Sequence, residues 1–153
     1  MSSAELREFD RQLRSEIRIS LSRQGFSHGQ GRTFRRLVEH EGTCSTQIIE
    51  FQVGAKSRYF GLFTVNLALF NPEYLPEPGQ KPEHEPQSWD CYLDLVQRLG
   101  FFRTPTRGLI DRVMGRRPEP SDHWWCQSGN PSIMQTELAE VMNLLLSHGL
   151  NWL

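Results

Sequence analysis

Leu6, Phe9, Leu13, Ile17 and Leu21 recur at steps of three and four, which sets them along one stripe of a helix predicted over residues 4–24. Gly25 follows as a C-terminal stop, and Gly25, Gly29 and Gly31 make a flexible turn region. The period then changes to two. Ile49, Phe51 and Val53 alternate with Glu50 and Gln52 in residues 46–53; Phe63, Val65, Leu67 and Leu69 alternate with Thr64, Asn66 and Ala68 in residues 59–70. Each pattern predicts a strand with one buried face. A shorter, Arg-rich strand is predicted over residues 33–39. The brief connections Glu41-Gly42-Thr43 and Gly54-Ala55-Lys56-Ser57 favour an antiparallel meander.

Residues 71–87 are of a different kind, with Pro72, Pro76, Pro78, Pro82 and Pro86 beside Glu73, Glu77, Glu83 and Glu85, against Lys81 alone. Proline cannot donate to a ladder, so the stretch predicts a stiff, acidic surface loop within one domain. Residues 89–99 fit two patterns. Trp89, Cys91, Leu93 and Leu95 form one face of a strand, with Asp90, Tyr92 and Asp94 on the other; Trp89, Tyr92, Val96 and Leu99 fit a helix capped by Ser88. The strand is preferred. Residues 101–120 read as an irregular connection with a short helix near 109–114, and His123-Trp124-Trp125-Cys126 as a final short strand. Asn130-Pro131 opens a helix, with Asn at the cap and Pro in the first turn. That helix carries Ile133, Met134, Leu138, Val141, Leu144 and Leu145, with Gly149 beyond its end. Together these elements predict an α+β fold: an antiparallel sheet of four to five strands, with the N- and C-terminal helices packed on one face, forming a single domain over residues 1–153.

Composition adjusts this picture in three places. A chain of 153 residues buries roughly 70% of its unfolded surface, enough for a core without staples. The longest apolar run is Leu144-Leu145-Leu146, too short to span a bilayer, and the N-terminus runs into a charged helix without the apolar region of a secretory signal. Cys44, Cys91 and Cys126 are odd in number and widely spaced, which fits reduced thiols in a cytoplasm rather than a disulfide framework or a zinc site. The net charge of −1 removes the whole-chain electrostatic case for nucleic acid. Fifteen Arg stand against two Lys. Genome composition accounts for such a bias, although Arg also suits bidentate recognition of carboxylate or phosphate.

Gly25-Phe26 closing the first helix, Ile48-Ile49-Glu50-Phe51-Gln52 in the second strand and Phe63-Thr64-Val65-Asn66-Leu67 in the third occur in a characteristic order. Arg98-Leu99-Gly100 and Trp124-Trp125 follow, ahead of the last helix. In this order the chain resembles the bacterial domain of unknown function 4304 family over most of its length, the proline-rich loop excepted. That family has no established function, so the resemblance implies no catalytic residue. Small domains of this kind resemble the immunity proteins encoded beside bacterial toxins, an associational link.

Catalytic signatures are not found in linear form. There is no G-x-S-x-G elbow, H-E-x-x-H pair or G-x-x-x-x-G-K loop, and Gly29-Gln30-Gly31 lacks the third glycine of a dinucleotide loop. His28, His40, His84, His123 and His148 share no metal-ligand spacing, so no cofactor or metal is expected. Asp90 and Asp94 share a strand face, ordinarily a solvated one. Cys91 or Cys126 with His123 would be a nucleophile pair, but nothing local activates a thiolate. Charge is more informative. Arg7, Arg11, Arg14 and Arg18 fall within about 60° of one another on the first helix, a solvated face or a docking ridge for an acidic partner. Arg103, Arg107, Arg112, Arg116 and Arg117 cluster with only Asp111 to offset them. With Trp124 and Trp125, one of which should be buried since neighbours on a strand face opposite ways, they form the candidate binding surface. The acidic loop is its counterpart, and the two could pair.

These features point to a non-catalytic protein-binding domain, of the immunity type that binds and neutralises a bacterial toxin by steric occlusion. The alternative is an enzyme or small-ligand domain with a pocket between sheet and helices. Nucleic-acid binding through the Arg segments ranks third, against the net charge.

Overall fold

The computed structural model describes residues 3–29, 31–40, 42–55, 57–74, 85–103 and 122–153. The first helix, α1, runs through Ser3–Gln12, one π-helical turn at Leu13–Ile17, and Arg18–Arg23. It ends as its glycine predicts. Gly25, at φ +84°, lets the Phe26 N–H reach back to the Leu21 carbonyl at 3.0 Å and its own N–H reach Ser22 at 3.1 Å, closing orphan carbonyls with a left-handed residue.

The strands are β1 (Ser27–His28), β2 (Thr33–His40), β3 (Thr43–Val53), β4 (Leu62–Phe70), β5 (Val96–Arg98) and β6 (Trp125–Cys126). They form one antiparallel sheet in the order β1-β2-β3-β4-β5, and β6 also pairs with β4. β5 and β6 share the same edge of β4, one along Asn66–Ala68 and the other along Leu62–Phe63. The predicted meander is β2-β3-β4. Gly42, at φ +82° between His40 and Thr43, makes the tight first turn. The third predicted strand begins later than its pattern suggests, since a 3-10 turn at Ser57–Tyr59 precedes Gly61 at φ +78°.

The last helix, α2, runs through Pro131–Leu144, a π-helical turn at Leu145–Gly149, and Leu150–Trp152. Asn130 caps it, its side chain accepting from the Ser132 N–H at 3.0 Å. Gly149 lies within this helix and not beyond it. It is buried where the helix meets the sheet, and a Cβ there would sit 3.1 Å from Leu99 and 3.3 Å from Leu67, so the glycine serves close packing and not termination.

Both helices pack on one face of the sheet, as predicted. Phe9, Leu13, Ile17 and Leu21 of α1 and Met134, Leu138, Val141 and Leu145 of α2 close over Phe34, Ile49, Phe51, Phe63, Val65 and Leu67. Ile133 departs from the predicted apolar arc and is exposed. The opposite face carries a smaller cluster of Ile48, Ala68 and Phe70, with Cys91 and Val96 against it. Residues 85–95 cover it, and here the expected strand is wrong. The segment forms short 3-10 turns at Ser88–Asp90 and Leu93–Leu95, and only Val96–Arg98 pairs as a strand. Side chains from the sheet hold it in place: Arg35 Nε donates to the Pro86 carbonyl at 2.7 Å, Thr33 to Gln87 at 3.0 Å, and Ser88 to Glu50. Among the described residues no helix is long and apolar enough to cross a membrane.

Candidate functional site

The face opposite the helices is built from register. Thr33, Glu50, Asn66 and Arg98 stand side by side across four strands, and Arg35, Ile48, Ala68 and Val96 form the next row. The polar row floors two adjoining surface depressions of about 460 and 520 Å³. Trp89 lines both, 69% exposed. Leu93 and Phe101 wall the larger one, Leu93 being 89% exposed, with exposed Tyr92 beside it. Asn66, nearly buried, donates to the Gln52 Oε1 at 3.1 Å, so these two amides form a cross-strand pair on the floor. Thr64, cross-strand from Gln52, is fully buried, and its hydroxyl has no hydrogen-bond partner among the described residues.

The acidic character of this surface comes from the covering segment. Glu85, Asp90 and Asp94 lie on it, and residues 85–97 contain no Lys or Arg. Glu85 is spent on Arg35 at 2.9 Å, a guanidinium that is itself almost buried, and that burial works against its charge. Asp90 accepts from the Gln87 N–H at 2.8 Å.

The predicted Arg–Trp surface divides in two. Trp125 points into the helix-side core, fully buried, 5.9 Å from Phe63, and its Nε1 donates to Glu140 at 3.3 Å. Arg103 meets the other oxygen of Glu140 at 2.6 Å and lies 3.3 Å from the His123 ring nitrogen. Arg103 and Trp125 thus tie residues 99–103 and β6 to α2. Burial, and then the Arg103 charge, hold His123 below the usual imidazole pKa. Trp124, half-buried, belongs to a different group. It stacks on Tyr59 at 4.2 Å, with Arg58 over the far side of Tyr59 and Arg98 over Trp124. Asp122 pairs with Arg98 and accepts the Trp124 N–H at 3.0 Å. Arg107, Arg112, Arg116 and Arg117 lie outside the described residues, as does most of the acidic loop.

The Cys91 thiol is not poised as a nucleophile here. Burial, helped by the Asp90 and Glu50 charges, pushes Cys91 up to about 12, so it stays protonated at neutral pH, and it donates weakly to the Gln87 carbonyl. Among the described residues no three His, Cys, Asp or Glu gather as a metal site. The arrangement therefore suits recognition: aromatic and aliphatic side chains in water, a polar floor and an acidic margin.

Sequence reasoning missed Trp89, Tyr92, Leu93, Phe101 and the Gln52–Asn66 pair as a surface. Their alternation imitates a half-buried strand. The available signal was the neighbouring proline run, since proline cannot donate to a strand ladder.

No protein-family model matches the chain, and no solved structure matches it.

Proposed function

We propose that the chain is a non-catalytic protein-binding domain whose contact surface is the sheet face opposite the helices, with Trp89, Tyr92, Leu93 and Phe101 as anchors. One observation carries it: three large apolar side chains, Trp89, Leu93 and Phe101, stand exposed around a shallow, polar-floored depression, with exposed Tyr92 next to Leu93 in the chain. Contiguous exposed apolar surface is costly to leave in water and marks interaction sites, and Trp and Tyr dominate binding energy where a partner covers them. The acidic margin of Asp90 and Asp94 suits a partner with a basic surface. The space between sheet and helices is filled by core side chains, which supports surface recognition over a pocket there. An immunity-type protein that occludes a bacterial toxin is the form of this function that the resemblance suggests. Three unbridged cysteines support the cytoplasm as its place.

Co-expression with the product of the neighbouring gene tests this. A stable stoichiometric complex is expected, weakened on the order of thirtyfold by Trp89→Ala or Leu93→Ala at unchanged melting temperature. Absence of a complex, or full affinity in the double variant, overturns it.

A further inference from the structure

A separate site lies on the helix side, where α1 meets the turn that leads into β2. Asp10, Leu13, Arg14, His28, Gly31 and Arg32 enclose a pocket of about 360 Å³, within the range of small-molecule sites. Its cations are held differently. Arg32 is fixed: its Nε and Nη2 grip the two oxygens of Asp10 at 2.6 and 3.2 Å, and its guanidinium lies over the Phe9 ring at 5.7 Å. This bidentate grip neutralises Asp10 and leaves the Nη1 of Arg32 uncommitted by it. Arg14 is exposed, and among the described residues no carboxylate pairs with it. Two acids of its own helix are engaged elsewhere, Glu8 with Arg11 and Gln12, and Glu16 with Gln135. His28 is braced edge-on against Phe34 at 5.0 Å.

The helix is distorted at this place. Leu13 and Arg14, both lining the pocket, open the π-helical turn Leu13–Ile17. A π-turn gives up regular hydrogen bonding to accommodate an extra residue, and such turns recur at functional sites. Across the pocket, Gly31 at φ +71° has nothing within 4 Å of where a Cβ would stand. Its conformation, and not crowding, requires glycine, and its backbone stays open to the pocket.

We propose that this pocket binds the oxyanion of a small molecule, a phosphate or carboxylate group seated between Arg14 and the open edge of Arg32, with His28 as a further N–H donor. Two guanidinium groups against one already neutralised carboxylate leave the pocket positive, and the planar donor fork matches either oxyanion. The site adjoins one margin of the protein-binding face, since Gly31 and Arg32 line both, but its own donors Arg14 and His28 lie outside that face, and their test reads phosphate or carboxylate and not a protein partner.

The test is a titration followed by the amide chemical shifts of Arg14, Gly31 and Arg32, with inorganic phosphate in one arm, succinate in a second and sodium chloride at matched ionic strength in a third. Saturable shifts with phosphate or succinate, absent with chloride, are expected, and the tighter of the two names the group. Arg14→Gln should weaken that binding on the order of tenfold or more, while Arg7→Gln, on the same helix but outside the pocket, should leave it unchanged. Shifts no larger than those of chloride overturn the proposal, and so does an equal loss in both variants, which would reduce the effect to the general charge of the helix.

Discussion

On one face of the sheet Phe34, Ile49, Phe51, Phe63, Val65 and Leu67 meet two long helices; on the other, Ile48, Ala68 and Phe70 meet a covering segment with no helical turn longer than three residues. The same three strands supply both faces. A helix satisfies its own backbone, so the sheet beneath can be wholly apolar and packed to core density. An irregular cover cannot do this. Its carbonyls and side chains must find partners on the sheet, and Thr33, Arg35 and Glu50 provide them. Polar residues are thereby drawn onto that face, packing is interrupted, and the two depressions beside Trp89 remain. The recognition surface arises where the fold is closed least completely.

This contrast can be broken most directly in the helix-side core. Phe63 is fully buried and packs against Phe9, Phe51 and Trp125, so Phe63→Ala should cost about 3–5 kcal/mol, measured by urea denaturation. Ile48→Ala, equally buried on the other face, should cost about 2 kcal/mol, because an irregular cover can settle into the space. Amides of residues 91–95 should then exchange with solvent before those of β4. An equal cost at both positions would erase the distinction between the faces.

A smaller effect is expected at His123. Burial, then Arg103, lower its folded pKa from 6.5, so the native state binds the proton less readily than the unfolded chain. Its contribution is intact above pH 6.5 and is lost as the pH falls from there through the lowered folded value. The urea midpoint should decline over that window, and less steeply in His123→Gln. The smallest change in stability belongs to Trp89→Ala, within about 0.5 kcal/mol by thermal melting, since that side chain stands mostly in water. A large loss there would make Trp89 part of the core and remove it as a binding anchor.

Legibility followed periodicity. The stripe Phe9-Leu13-Ile17-Leu21, the alternation through β3 and β4, and the Asn130-Pro131 cap each express one local rule, and all occur near their predicted places. β1 is two residues long, too short to have a period. Residues 89–95 alternate as a strand does, but Trp89 and Leu93 face water while Cys91 reaches the small cluster. Gly149 reads as a stop, yet it lies inside α2, where a Cβ would crowd Leu67 and Leu99. Of the candidate binding residues, Trp124 and Trp125 were predicted to diverge and do, Trp125 to the core and Trp124 to the aromatic stack. Arg103 looks like part of a basic run but is occupied by Glu140, far along the chain.

The amino-acid order alone thus determined two amphipathic helices, a three-stranded meander and their assembly as α+β, because each depends on contacts within a turn or between neighbouring strands. Tertiary structure decided the rest. Trp89, Tyr92 and Leu93 are left in water beyond a stretch that Thr33, Arg35 and Glu50, distant in sequence, pin at residues 85–88, and Arg14 and Arg32 come to line one pocket only through the packing of α1 in the folded domain. Hydrogen bonds between remote side chains carry no period, so neither surface is written in the local pattern.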